Sequence, residues 1–260
     1  MAAERPDLLY HYTTQEGFLG IIQSRTLWAS SIRHLNDASE FNYAINLAIR
    51  ISNRYTNSGN ERSGFEEIVG VFRQLLNVYV CSFSTQKDQL SQWRAYCRDG
   101  GGFSIGFDAA YLEALGKRQD FTLENCTYDK HAHEAEMEEL VNWVQSNPKL
   151  MVEDILKRLM KIAPRMKHPS FSEEKEWRLA NRIVIPAVPV SGICYRTGKS
   201  FPVPYRKLQM GDAFGALVKE VIVGPTPHSS LSVSTADEFL RHRGIEDVRA
   251  EGSKIPYRSW

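Results

Sequence analysis

Three segments of this chain carry polar side chains where a half-buried strand would more cheaply place Val or Ile. Side chains alternate across a strand, so parity assigns faces. His11 and Thr13 fall with Leu9, Ser82 and Ser84 with Val80, and Glu174 and Glu176 with Arg178. Two carboxylates on one face concentrate negative charge there. Arg178 beside them can hold Glu176 ionised or grip a diphosphate through two parallel hydrogen bonds. Tyr12, Trp93 and Tyr96 lie next to these segments. Each item alone has a bland reading: a strand-end histidine, the wet face of an edge strand, surface charges paired with Lys175, aromatic residues in the core. Three such strands in one chain are read as the lining of a common polar cleft, in an enzyme-like nucleotide-binding protein.

The elements that must position these residues follow from pattern. Leu8 to Tyr12 reads as a strand, and Thr13-Thr14-Gln15-Glu16 offers an N-cap with Glu three residues on, a capping box. Phe18, Ile21 and Ile22 follow at helical spacing, and Leu27 to Ser30 forms a second strand. Asn36 to Glu40 opens a helix with Phe41, Ala44, Ile45 and Ala48 on one face, and 53–64 reads as a loop. Val78 to Ser84 is the clearest strand, β-branched and aromatic throughout. A short helix with Leu90, Trp93 and Cys97 follows, then a Gly100-Gly101-Gly102 turn into a strand from Phe103 to Phe107. The stretch from His131 to about Ile162 is helical, 174–179 and 182–185 are strands, Val218 to Val223 is another, and a helix surrounds Ser234 to His242. Strands outnumber helices without strict alternation, which favours α+β over a doubly wound sheet. With no repeat and no linker, residues 1–260 are read as a single domain.

Composition bounds the function. Lys plus Arg number 32 against 31 Asp plus Glu, so no global charge argues for nucleic acid or an acidic membrane, although a local basic patch is compatible with this balance. Met1 to Asp7 has no apolar leader, and no run reaches the roughly 18 apolar residues of a membrane span, which makes the cytoplasm the expected compartment. Cys81, Cys97, Cys126 and Cys194 form no paired motif. His131 and His133 near Cys126 lack the spacing of zinc sites, so no metal is expected. No phosphate loop, HExxH, GxSxG or strand-to-helix GxGxxG occurs, and the glycine triplet precedes a strand and so offers no helix N-terminus to a phosphate.

The ordered motifs resemble the bacterial family catalogued as DUF2971 over nearly the whole chain. They are Tyr10-His11-Tyr12-Thr13, Leu27 to Ser30, Leu35-Asn36-Asp37 with Glu40, Cys81 to Ser84, Gln92-Trp93 with Tyr96, Gly101 to Phe107, Glu174 to Arg178, and Ser253 to Arg258. More distantly, a His-x-Thr strand, a striped helix, a Ser-x-Ser strand and a Glu-x-Glu strand resemble the ADP-ribosyltransferase fold. That resemblance implies a twisted, split mixed or antiparallel sheet with flanking helices, whose cleft holds NAD as substrate. His11 and Thr13 would then bind the adenosine-side ribose, with Tyr12 beside them. Ser82 and Ser84 would buttress the nicotinamide pocket, with Trp93 and Tyr96 as aromatic walls and Tyr96 stacking on nicotinamide. Glu176 would be catalytic, Glu174 would orient or deprotonate the acceptor, and Arg178 would hold Glu176 or the diphosphate. Some members carry Arg in place of His11 and others Tyr in place of Ser82, so this chain mixes subclass signatures.

The implied activity is ADP-ribosyl transfer to a macromolecular acceptor, protein or nucleic acid, or hydrolysis of NAD, as a toxin or phage-defence effector restrained by an antitoxin or other regulatory protein. Two alternatives stand beside it. One is a non-catalytic module sensing a nucleotide or nucleic-acid end, with Arg94, Arg98 and Arg178 on phosphate. The other is a metal-assisted nuclease using Asp37, Glu40, Glu174 and Glu176.

Overall fold

The computed structural model describes residues 4–34, 38–55, 70, 77–96, 101–147, 149–183, 192–198 and 200–256. Its centre is a ten-stranded, mostly antiparallel sheet: β1 (Leu8–Thr14), β2 (Thr26–Ser31), β3 (Asn77–Ser84), β4 (Gly102–Asp108), β5 (Phe121–Asn125), β6 (Glu176–Ile183), β7 (Ile193–Arg196), β8 (Val203–Gln209), β9 (Val218–Val223) and β10 (Ala250–Gly252). Helices α1 (Gln15–Ser24), α2 (Ala38–Tyr55), α3 (Leu90–Tyr96), α4 (Ala109–Lys117), α5 (Lys130–Gln145), α6 (Val152–Ile162), α7 (Phe214–Leu217) and α8 (Ser229–His242) cover it. The α+β class holds.

The sheet forks along β3. On one edge β3 pairs with β6 through its whole length, Asn77 opposite Ile183 to Ser84 opposite Glu176. On the other edge, Val80 and Tyr79 pair with Ser30 and Ser31 of β2, whereas Ser84 pairs with Tyr10 of β1. β1 leads to β4, β9 and β10, and β2 leads to β8 and β7, so two half-sheets diverge from one strand.

The strands carry two apolar faces because Val, Tyr, Cys and Phe alternate along them. On the first face Tyr79, Cys81, Phe83, Leu9, Ile105 and Leu179 join Phe18 and Ile22 of α1, Leu112 of α4 and Leu240 of α8. On the second, Val78, Val80 and Ala180 pack under Ala44 and Ile45 of α2, Met137 of α5 and Leu159 of α6. A smaller cluster on that second face joins Tyr10, Tyr12 and Ile222 to Trp93 of α3. Between the two second-face clusters the sheet is polar.

Several local expectations shift. Thr14, not Thr13, is the N-cap of α1, accepting from the Gly17 amide at 3.2 Å, so Glu16 is one position short of a capping box. The helical stretch after His131 is two helices, because 146–151 breaks it. The two expected strands 174–179 and 182–185 run, over the described residues, as one strand from Glu176 to Ile183, with Val184 and Ile185 outside the described residues, and Glu174 ends a 3-10 turn, Pro169–Glu174. Elements β5, β7, β8, β10 and α4 carry no motif and were not expected. Asn36, Asp37, Cys97, Arg98 and Gly100 lie outside the described residues.

Candidate functional site

A row of side chains crosses the second face: Glu176 faces Ser84, Ser84 faces Tyr10, Tyr10 faces Gly106, and Gly106 faces Glu220. Gly106 is required by this row, since a Cβ there would lie 2.9 Å from Tyr10 Cε1. The freed space lets the phenol lie flat and donate to Glu220 Oε2 at 3.0 Å.

At one end of the row sits a buried ionic cluster. Arg178, two residues along β6 and on the same face, donates from Nε to Glu176 Oε1 at 2.6 Å and from an Nη to Oε2 at 3.0 Å, while its other Nη reaches the Pro164 carbonyl at 2.8 Å. Lys167 donates to Glu176 Oε2 and to Glu174 Oε2, each at 2.6 Å, and its ammonium lies 5.1 Å from the Phe171 ring centroid. Two cations meet two carboxylates, so the cluster is formally neutral. Glu176 is only 4 % exposed, Arg178 and Lys167 still less. Burial by itself would raise the Glu176 carboxyl, but Arg178 first and Lys167 second overcome it and hold the group at about 2.

The chain brings these groups together through backbone contacts at the start of β6. The Glu176 amide donates to Tyr128 Oη at 2.8 Å, the Cys126 amide donates to the Glu176 carbonyl at 2.9 Å, and the Lys167 amide donates to the Thr127 carbonyl at 3.0 Å. Neither Lys167 nor Tyr128 belongs to a motif visible in the sequence. A lysine buried beside two carboxylates has no local pattern to betray it.

The structure places the expected site residues in three groups. Glu176, Arg178, Ser82 and Ser84 share the second face, directly opposite one another across β3 and β6. Ser84 is buried and spends its hydroxyl on structure, donating to the Glu174 carbonyl at 2.8 Å and accepting from the Gln86 amide. Tyr96 joins this group: its residue is 37 % exposed, while burial of its hydroxyl end, then the negative charge of Glu176 and Glu174, pushes the phenol up to about 12.

His11 and Thr13 form the second group and correct an expectation. They register against Ile105 and Phe103 on the first face, so the sheet separates them from Ser82 and Glu176. The His11 ring fills the fork instead. Its Nδ1 lies 2.9 Å from the Ser82 carbonyl, 3.8 Å from Cys81 Sγ, and the ring sits 5.7 Å from that of Phe83. A carbonyl only accepts, so Nδ1 carries the proton.

Tyr12 and Trp93 form the third group, and both are core. Trp93 is fully buried with its ring edge on Tyr12 at 4.7 Å, and its Nε1 donates to Asp88 at 2.6 Å. Tyr12 Oη donates to the Gln86 carbonyl and accepts from the Gln89 amide. Neither ring offers a free face to a ligand. His133, weighed for zinc, is likewise buried, bonded to Thr127 and to Tyr43 Oη. Among the described residues no group of three His, Cys, Asp or Glu is placed to hold a metal ion, and no helix is long and apolar enough to cross a membrane.

Residues 92–179 match the family model described as protein of unknown function, DUF2971. The match spans about a third of the chain and includes Trp93, Tyr96, β4 and the Glu174 to Arg178 cluster, while the motifs around His11, Ser82 and Ser253 lie outside it. The chain matches no curated protein and no solved structure.

Proposed function

We propose that the chain consumes NAD, as an ADP-ribosyltransferase acting on a macromolecular acceptor or as an NAD glycohydrolase, with Glu176 as the catalytic carboxylate. The observation that carries this reading is Glu176 itself: a buried, ionised carboxylate set in sheet register beside Ser84 and next to Arg178 on the same face. As the bond from ribose C1′ to nicotinamide breaks, its electron pair leaves on nicotinamide and positive charge grows on the sugar. A fixed anion in a low-dielectric site stabilises that charge. The acceptor atom then bonds C1′ and gives up its proton, and Glu174, more accessible than Glu176, is the nearby base. Because Lys167 caps both carboxylates, NAD must draw its ammonium away, toward the diphosphate.

Incubation with nicotinamide-labelled NAD, in the presence of cell lysate and nucleic acid, tests this. Wild type should release nicotinamide, and Glu176→Gln should lower the rate on the order of 10²-fold or more at equal folded fraction. Expression should poison bacteria and the substitution should relieve it. Background turnover by wild type sinks the proposal.

A second reading is favoured by the closure of the same cluster, in which Arg178 and Lys167 already occupy Glu176. Under it the chain is a non-catalytic module that senses a nucleotide or nucleic-acid end. NAD or a related nucleotide would then raise Tm without being consumed.

A further inference from the structure

We infer that the outward face of β2 and β8 binds single-stranded nucleic acid through Trp28. The indole is 44 % exposed and stacks on Tyr205, with ring centroids 4.4 Å apart and 26° between planes. The stack is a cross-strand diagonal, since Trp28 faces Lys207 and Ser30 faces Tyr205. Sheet register therefore holds the indole toward solvent, with Tyr205 stiffening it from beside. Lys207 is exposed on the same face, and Arg196 of β7, also on this face, donates to Ser30 Oγ at 3.3 Å. The strip continues to Phe201, 52 % exposed and edge-on to His34 at 5.6 Å.

Its charge is one-sided. On this face the described cations are Lys207, opposite Trp28, and Arg196, opposite Val203, and the segments 25–34 and 193–209 that carry the strip contain no Asp or Glu. A rigid outward aromatic flanked by cations matches single strands, whose unstacked bases offer flat π-faces and whose phosphates follow basic side chains. A duplex hides its base faces, and an acidic peptide would use the charge without needing the indole. Ser30 pairs with Val80, so this strip lies on the same side of the sheet as Ser82 and Ser84, with α2, α5 and α6 packed over Val80 between them. As an acceptor surface the strip rests on the NAD-consuming reading; as a binding surface it does not.

The test reads binding alone, without NAD. Labelled oligo-dT, oligo-dA, a duplex of equal length and polyglutamate are titrated with the full chain by fluorescence anisotropy. Single strands should bind best. Trp28→Ala should weaken them about tenfold or more, Trp28→Phe should restore most of the loss, and Lys207→Gln should reduce the slope of log affinity against log salt by about 0.7. Unchanged melting establishes that the variants fold. No binding of single strands at low salt, equal binding of duplex or polyglutamate, or wild-type affinity in folded Trp28→Ala would each overturn the inference.

Discussion

The imidazole of His11 is bonded to the Ser82 carbonyl at 2.9 Å, yet the side chains of His11 and Ser82 lie on opposite faces of the sheet. The contact is made edge-on, across the gap where β1 leaves β3. Backbone carbonyls on a strand edge must find a donor, and between Tyr10 opposite Ser84 and Ser30 opposite Val80 the ladder supplies none. His11 takes that place, which gives it a structural role independent of any ligand.

His11→Ala should therefore cost about 1–3 kcal/mol, the penalty of an orphaned buried carbonyl, read as a lower urea midpoint with an unchanged slope. The pH dependence has a definite sign. Burial lowers the His11 pKa, partly offset by the Ser82 bond, and burial also lowers that of His133. The unfolded chain binds these protons more readily, so the contribution is complete above about pH 6.5 and is lost as pH falls below it. The stability of His11→Ala should fall less steeply than wild type over that window, and an equal fall would contradict the assignment.

Glu176→Gln should destabilise the chain by about 3–5 kcal/mol, because it leaves two buried cations with one partly exposed carboxylate. Lys167→Met in the same background should recover part of the loss, as expected for contacting residues. The Glu176 carboxyl sits at about 2 in the fold, so its contribution is complete above the ordinary carboxylate range and is lost as pH falls from about 4.3 toward 2. Glu176→Gln should thus show a shallower acid limb in pH-dependent melting. A substitution neutral in stability would mean that the cluster is looser than its distances.

Asp88 ties the chain's end to α3. One oxygen accepts from Trp93 Nε1 and Ser253 Oγ, each at 2.6 Å, and the other accepts from the Lys254 amide at 2.8 Å. Asp88→Ala should leave a buried indole donor unpaired, at about 1–3 kcal/mol, and should release the segment after β10. Limited trypsin digestion followed by mass spectrometry should then cut at Lys254 well before global unfolding, and resistance equal to wild type would argue against the tether.

Cys81 should be inert. Burial pushes its thiol up to about 12, so the thiolate that alkylates is nearly absent at neutral pH. Iodoacetamide should label half-buried Cys194 ahead of Cys81 and Cys126, with mass spectrometry reading the order.

Strand by strand, much was legible. Leu8 to Tyr12, Leu27 to Ser30, Val78 to Ser84, Phe103 to Phe107 and Val218 to Val223 all form strands, because β-branched and aromatic residues at period two specify both the element and its faces. Within β6 the shared face of Glu176 and Arg178 was equally legible. Short strands such as β7 and β10 carry too few residues for a period, and Glu174 was misassigned because an alternating Glu-Lys-Glu cannot reveal that the chain turns at Lys175, whose backbone is left-handed at φ 45°.

What the amino-acid order determined is therefore the internal face of each strand, since the pleat alone decides it. Which face of one strand continues that of its neighbour depends on register, and a shift of one residue inverts the whole set. Only the tertiary structure settled that Ser82 and Ser84 meet Glu176 and Arg178, that His11 lies beyond the sheet from them, and that Lys167, from outside any motif, completes the charge. Burial made that last choice: a carboxylate withdrawn from water, as Glu176 is, requires cations, and only the assembled fold determines which ones reach it.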